Sequence, residues 1–247
     1  MSETIMTIFF LMLSVAAGGV LVVFLEKKNQ ATFIKLSLAF SGGFLLAIAF
    51  IHFLPELYAE QHTSIGVWVL VGFLVQLFLE YFSGGIEHGH IHAHANKRIP
   101  YGLLISLSIH SFIEGIPLAN SAIHEHTHAQ EQLIGHHHHS LLLGIILHQL
   151  PVAIALMTLL RKSLIKSSTS WILLIVFGLM TPLGLIFGKF IPMDSSIPFM
   201  DILLALVVGM FLHISTTIIF ETNENHRFNL AKLTAILLGV GLSVGLI

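Results

Sequence analysis

The chain has 247 residues, of which 55% are hydrophobic and 10% are charged, and its mean hydropathy is +0.90. A soluble domain carries about 25% charged residues, so the composition excludes a soluble globule, a disordered chain and a collagen, and the net charge of −2 argues against a nucleic-acid binder. Cysteine is absent, which excludes disulfides, thiolate metal sites and cysteine nucleophiles, whereas 17 histidines outnumber the 11 lysines and arginines.

Apolar stretches long enough to span a bilayer, about 20 residues each, occupy most of the chain. They cover residues 4–25, 33–54, 65–86, 100–122, 140–160, 169–190, 198–220 and 228–247. The first has no basic residue before it and no small-residue cleavage site after a short apolar core, so it is expected to be a retained helix. The sequence therefore predicts an all-α integral membrane protein with eight transmembrane helices, in a single domain over residues 1–247.

The basic residues predict the orientation of these spans. All but Lys189 of the lysines and arginines lie on or directly flank the first, third, fifth and seventh loops, and the even-numbered loops carry acidic residues. Because loops rich in Lys and Arg stay in the cytoplasm, both termini are expected to face outside. The protein is expected in the cell membrane, which is the inner membrane in a Gram-negative bacterium.

Two longer loops are rich in histidine, a composition typical of segments that bind metal without fixed geometry. Residues 87–98 form a predicted cytoplasmic loop and residues 121–139 a predicted external loop, although both also fit a solvated loop without function. The histidines concerned are His88, His90, His92 and His94 in the first loop and His124, His126, His128, His136, His137, His138 and His139 in the second.

Four further polar residues within the spans are candidates for a metal pathway. His52 and Glu56, four residues apart at the outer end of the second span, fit either an entry relay or an interfacial cap. Glu80 in the third span and His213 in the seventh are interpreted first as structural hydrogen-bonding groups and second as pathway residues.

The strongest candidate site lies on the fourth and fifth spans. His110 and Glu114 are four residues apart, which places them on one face of a helix, and His148 lies near the middle of the next span. A charged group at this depth costs about 2.5–3.5 kcal/mol, and a metal ion compensates that charge. Two imidazoles and a carboxylate suit zinc or a similar divalent ion, and Ser111 and Gln149 can add oxygen donors. The alternative is an interhelical hydrogen bond that holds the bundle together.

Proline follows each half of this site by three residues: Pro117 after Glu114 and Pro151 after His148. Because proline frees a carbonyl one turn back and kinks a helix, the pattern predicts two bent helices beside one cavity.

These features together resemble the ZIP (Zrt/Irt-like) family of divalent metal transporters. The resemblance is carried by HSFIEG in the fourth span, the histidine and proline in the fifth, FLLAIAFIHFLPE in the second, TPLGLIFG in the sixth, and the His-rich loop between spans three and four. It covers the whole chain. It implies a 3+2+3 helix bundle with an inverted repeat, with His110, Glu114 and His148 as transport-site ligands and Ser111 and Gln149 beside them.

Two positions depart from the pattern of many bacterial members of that family. Val152 and Thr181 stand where those members have acids that build a second metal position, so the resemblance implies a single-metal site here. The expected function is uptake of a divalent cation into the cytoplasm, with zinc first and iron, manganese or cadmium as other substrates. The metal is substrate and not cofactor, and a homodimer stays an open possibility.

The rival functions are an integral-membrane metal-dependent hydrolase and a metal sensor that does not transport. An HExxH pattern at residues 124–128 lies in the predicted external loop, and a GxSxG pattern at residues 241–245 lies inside the last apolar span. A hydrolase needs the first on a helix and the second at a strand-to-helix turn, so the context of both patterns argues against the hydrolase. We therefore expect a transporter and not an enzyme.

Overall fold

The computed structural model describes residues 2–24, 30–59, 64–83, 101–121, 136–163, 165–191, 199–220 and 230–246. Within these ranges the chain is helical, without strands, and each predicted span corresponds to one helix or to consecutive short helices. The helices are α1 (Ser2–Phe24), α2 (Gln30–Ile48), a π-helical segment (Ala49–Phe53), α3 (Leu54–Ala59), α4 (Ile65–Ser83), α5 (Tyr101–Gly115), α6 (Leu118–Ser121), α7 (His136–Lys162), α8 (Ser167–Gly188), α9 (Phe199–Phe220) and α10 (Leu230–Val244).

Helices are the expected form for such a chain, because lipid offers no partner for backbone polar groups and a helix satisfies them internally. Six of the described helical runs are long and apolar enough to cross a membrane. The fourth and eighth predicted spans are shorter than expected, since α5 and α10 each have 15 residues. The described residues therefore contain helices at all eight predicted spans, but only six of these helical segments are long and apolar enough to cross a membrane.

Three local features differ from the sequence prediction. The second span continues to Ala59, beyond the predicted end at residue 54, and its π-helical segment was not anticipated. The fourth span is interrupted at Ile116 and Pro117, as the proline predicted, and resumes as α6. Pro151, by contrast, lies inside a helix that continues to Lys162.

The helices differ in how deeply they are buried. In α7, 72% of the apolar window is buried, whereas the corresponding share is 33% in α1 and 22% in α4. Large apolar side chains such as Phe78 and Leu70 point outward from α4, as expected for a surface in contact with lipid. The fifth span is therefore the central helix, and residues near its middle are shielded from both water and lipid.

Glycines set the distances between several helix pairs, because without a side chain they let backbones approach closely. Gly43 on α2 and Gly239 on α10 face each other's helix backbone, and Gly72 on α4 and Gly209 on α9 do the same. The neighbouring glycines Gly18–Gly19 and Gly42–Gly43 also lie at close helix contacts, since a Cβ at these positions would meet α7, α8, α9 or α10.

The pair α5 and α8 is held together in the same way, and it is the pair that positions the polar site. A Cβ on Gly115 would lie 2.2 Å from the carbonyl oxygen of Thr181, and one on Gly184 would lie 2.1 Å from that of Phe112. The backbone of the fourth span therefore rests directly on the backbone of the sixth.

Candidate functional site

His110 and Glu114 lie one turn apart on α5 and are buried to 3% and 1% exposure. His110 Nε2 is 3.3 Å from Glu114 Oε2, so the prediction that these two side chains share one helix face is confirmed. No hydrogen bond to Glu114 Oε2 is formed within the described part of the chain. Ser111 is equally buried beside His110.

The fifth span brings His148 and Gln149 to the same place. The rings of His148 and His110 have centroids 6.0 Å apart and meet edge to face at 78°. Gln149 Nε2 donates a hydrogen bond to Glu114 Oε1 at 3.2 Å. The four polar residues predicted on consecutive spans, His110, Glu114, His148 and Gln149, are thus neighbours in the interior of the protein.

Two residues that the sequence analysis did not assign to the site complete it. Gln76 on α4 is fully buried, and its Oε1 lies 2.9 Å from His110 Nδ1. Thr181 on α8, noted only as a departure from the family pattern, is also fully buried, and its hydroxyl accepts a hydrogen bond from the Gln149 amide. A signal for Gln76 was present, since an amide in the middle of an apolar span is costly without a partner.

The spacing of these groups matches the dimensions of a zinc site. Two ligands at about 2.1 Å from a tetrahedral zinc ion lie about 3.4 Å apart, close to the 3.3 Å between His110 Nε2 and Glu114 Oε2. Two imidazoles on one such ion have ring centres about 5 Å apart, so His148 needs to approach His110 by about 1 Å. As they stand, no three His, Asp or Glu side chains of the described ranges are grouped tightly enough to hold a metal.

Glu80 and His213 form a second polar pair. Glu80 Oε2 and His213 Nε2 are 2.5 Å apart and join α4 to α9, which agrees with the interpretation of both as structural hydrogen-bonding groups. Phe73 packs edge to face on the His213 ring at 4.7 Å. Glu80 lies one turn along α4 from Gln76, so one helix face carries polar contacts to two different neighbours.

The second-span candidates are separated by their environments. His52 lies in the π-helical segment and is buried, while Glu56 on α3 is exposed. Single π-helical turns inside helices occur frequently at functional sites. The structure therefore makes His52 an interior group and Glu56 a surface group.

Most of the loop histidines lie outside the described residues, which applies to all of those from His88 to His94 and from His124 to His128. The run from His136 to His139 was expected in the external loop, but its backbone forms the first turn of α7. Helix formation there extends the fifth span beyond its predicted start at residue 140.

A comparison with protein-family models decides the family. The model for the ZIP zinc transporter matches residues 2–100 and 85–247, which together cover nearly the whole chain. The chain belongs to the ZIP family. The resemblance found in the sequence is thereby confirmed, and the protein is a divalent metal transporter of the membrane and not a member of an enzyme family. A search among curated proteins found no significant match.

Proposed function

We propose that this ZIP protein carries zinc into the cytoplasm through one core site formed by His110, Glu114 and His148. The observation that carries the proposal is the 3.3 Å separation of His110 Nε2 and Glu114 Oε2, which is close to the distance between two ligands of a tetrahedral zinc ion. A buried carboxylate without a metal is costly in hydrocarbon, and a bound cation compensates it.

The pattern of helix contacts supports the 3+2+3 arrangement with an inverted repeat. α1 packs on α7 as α8 packs on α5, and α2 packs on α10 as α9 packs on α4. A two-fold axis that relates α1 to α8, α2 to α9, α4 to α10 and α5 to α7 converts the first contact of each of these two comparisons into the second. Two further contacts, α1 with α8 and α2 with α9, join helices related by the same axis. Metal sites at the interface of such repeats are common in transporters.

Gln149 and Thr181 support the single-metal reading of the core. The Gln149 amide donates both to Glu114 Oε1 and to Thr181, so a neutral N–H group occupies the side of Glu114 where a second cation needs oxygen ligands. Val152 belongs to an apolar cluster with neighbours such as Leu107 and Leu156. An amide donor and an apolar side chain leave one metal position between the two histidines and Glu114.

The charge pattern of the loops supports inward transport with both termini outside. In that orientation α4 runs towards the cytoplasm, and Glu80 lies about 6 Å beyond Gln76 in this direction. Glu80 and His213 then offer a carboxylate and an imidazole to a metal that leaves the core, while His52 and Glu56 lie near the outer side. The histidines of the two loops raise the local metal concentration at each end of the path.

The test is zinc flux into proteoliposomes that contain the purified protein. His110→Ala, Glu114→Ala and His148→Ala are each expected to lower the flux by more than about tenfold, since even an outer partner of a ligand is worth 10–100-fold in affinity. Ser243→Ala serves as the control, because Ser243 is fully buried on α10 but outside the site. Near-normal flux in all three variants at equal amounts of folded protein contradicts the assignment, and a panel of iron, manganese and cadmium ions tests the choice of metal.

A further inference from the structure

We propose that Gln76 is a positioning residue of the transport site: its side-chain oxygen holds the His110 ring in the tautomer that presents Nε2 to the metal. The inference rests on the proposed role of His110. It adds a residue from α4, a helix that the metal-ligand pattern of the sequence does not involve.

The direction of the hydrogen bond carries the argument. Gln76 Oε1 lies 2.9 Å from His110 Nδ1, and a carbonyl oxygen only accepts, so Nδ1 carries the proton. In a neutral imidazole the other nitrogen then keeps its lone pair. That nitrogen is Nε2, the atom 3.3 Å from Glu114 Oε2. The partner on one side of the ring therefore determines that the other side is ready to bind a cation.

Packing holds Gln76 where this bond requires it. The bond lies in the interior, with Gln76 at 0% and His110 at 3% exposure. α4 is fixed against α9 by the close approach at Gly72 and Gly209 and by the contact between Glu80 and His213. These contacts hold α4 in place, and Gln76, one turn before Glu80, reaches His110 on α5 from this position. A partner of this kind orients a metal-binding histidine and makes it a better ligand.

Three substitutions separate a positioning role from a merely structural one. Gln76→Met keeps the approximate length of the side chain but removes the acceptor, and Gln76→Asn keeps the amide but shortens its reach. Gln76→Glu keeps an acceptor at the same distance. Ser41→Ala is the matched control, since Ser41 is as deeply buried and its hydrogen bond stays within α2, to the carbonyl of Leu38. Zinc flux in proteoliposomes is measured over a range of zinc concentrations, together with the unfolding temperature of each variant.

We expect Gln76→Met and Gln76→Asn to raise the KM for zinc by 10–100-fold, the usual effect of losing an outer partner of a ligand. Gln76→Glu keeps the acceptor, so its KM is expected to stay near the wild-type value. In the His110→Ala background, Gln76→Met should change zinc transport no further. The inference is overturned if Gln76→Met and Gln76→Asn both have the wild-type KM. It is also overturned if Gln76→Glu folds but has a KM as high as that of Gln76→Met.

The same experiment distinguishes this inference from the proposed function. If His110→Ala alone leaves zinc flux intact, the assignment of His110 as a ligand of the core site is wrong. If His110→Ala abolishes flux while Gln76→Met and Gln76→Asn transport with the wild-type KM, the core site stands and only the role of Gln76 is refuted. Should Gln76→Met not fold, Gln76→Asn and Gln76→Glu still decide between these outcomes.

Discussion

Replacing Gly115 by Ala tests whether the contact between α5 and α8 sets the geometry of the metal site. The added Cβ would lie 2.2 Å from the carbonyl oxygen of Thr181, while ordinary contacts begin at 3.4 Å. Because the obstacle is backbone and the interior is close-packed, the two helices have to separate by about 1.2 Å. Gly115 follows Glu114 directly, so this movement shifts the carboxylate from its position beside Gln149 on α7.

The expected effects are a loss of stability and a larger loss of transport. Overpacking of this kind costs about 1–3 kcal/mol, which should lower the unfolding temperature in detergent. A reacting group displaced by about 1 Å can lose a hundredfold in rate in an enzyme, and we expect zinc flux per folded protein to fall by at least about tenfold. Flux into proteoliposomes and thermal unfolding are measured on the same preparations.

Gly241→Ala is the matched control, since a Cβ at that position on α10 meets nothing within 4 Å. The change from Gly to Ala in an open helix position stabilises by up to about 1 kcal/mol, so this variant should equal or exceed the wild type in stability and transport normally. If Gly115→Ala also transports and unfolds like the wild type, the helix spacing does not control the site and the argument is wrong.

Three further outcomes are expected. Replacing the histidines in the range 88–94 by Ser should alter regulation or intracellular release but keep zinc flux, and complete loss of flux in folded protein would make this loop part of the obligatory path. A protein with all loop histidines exchanged for Ser but an unchanged core should hold one metal per protomer by elemental analysis. Adding Val152→Glu and Thr181→Glu to that protein should raise the count to two, because the new carboxylates provide oxygen ligands for a second cation. Two metals in the unchanged core refute the single-metal reading. Glu80→Gln retains a hydrogen-bonding partner for His213 but removes the carboxylate charge. We therefore expect a several-fold drop in zinc flux at an unchanged unfolding temperature. Unchanged flux would mean that Glu80 and His213 have a structural role alone.

The sequence determined those features that depend on one helix at a time. The helical runs follow from hydropathy, because a backbone in lipid must satisfy its hydrogen bonds locally. The contact between His110 and Glu114 follows from a spacing of four residues on a helix, and the break at Pro117 follows from the missing N–H. The π-helical turn at Ala49–Phe53 was missed, since no residue type in that segment distinguishes it from an ordinary helix.

Only the tertiary structure decided which residues meet across helices. Gln76 and His110 are 34 positions apart, Gln149 and Thr181 are 32 apart, and Glu80 and His213 are separated by 133. No periodicity within a single span predicts such partners, because they depend on the rotation and depth of one helix relative to another. Those are fixed by backbone contacts at glycines such as Gly115, whose neighbour lies on a helix far away in the sequence. The ligand types of the site are therefore set by the sequence of α5 and α7, and the residues that orient those ligands are set by the packing of α4 and α8 around them.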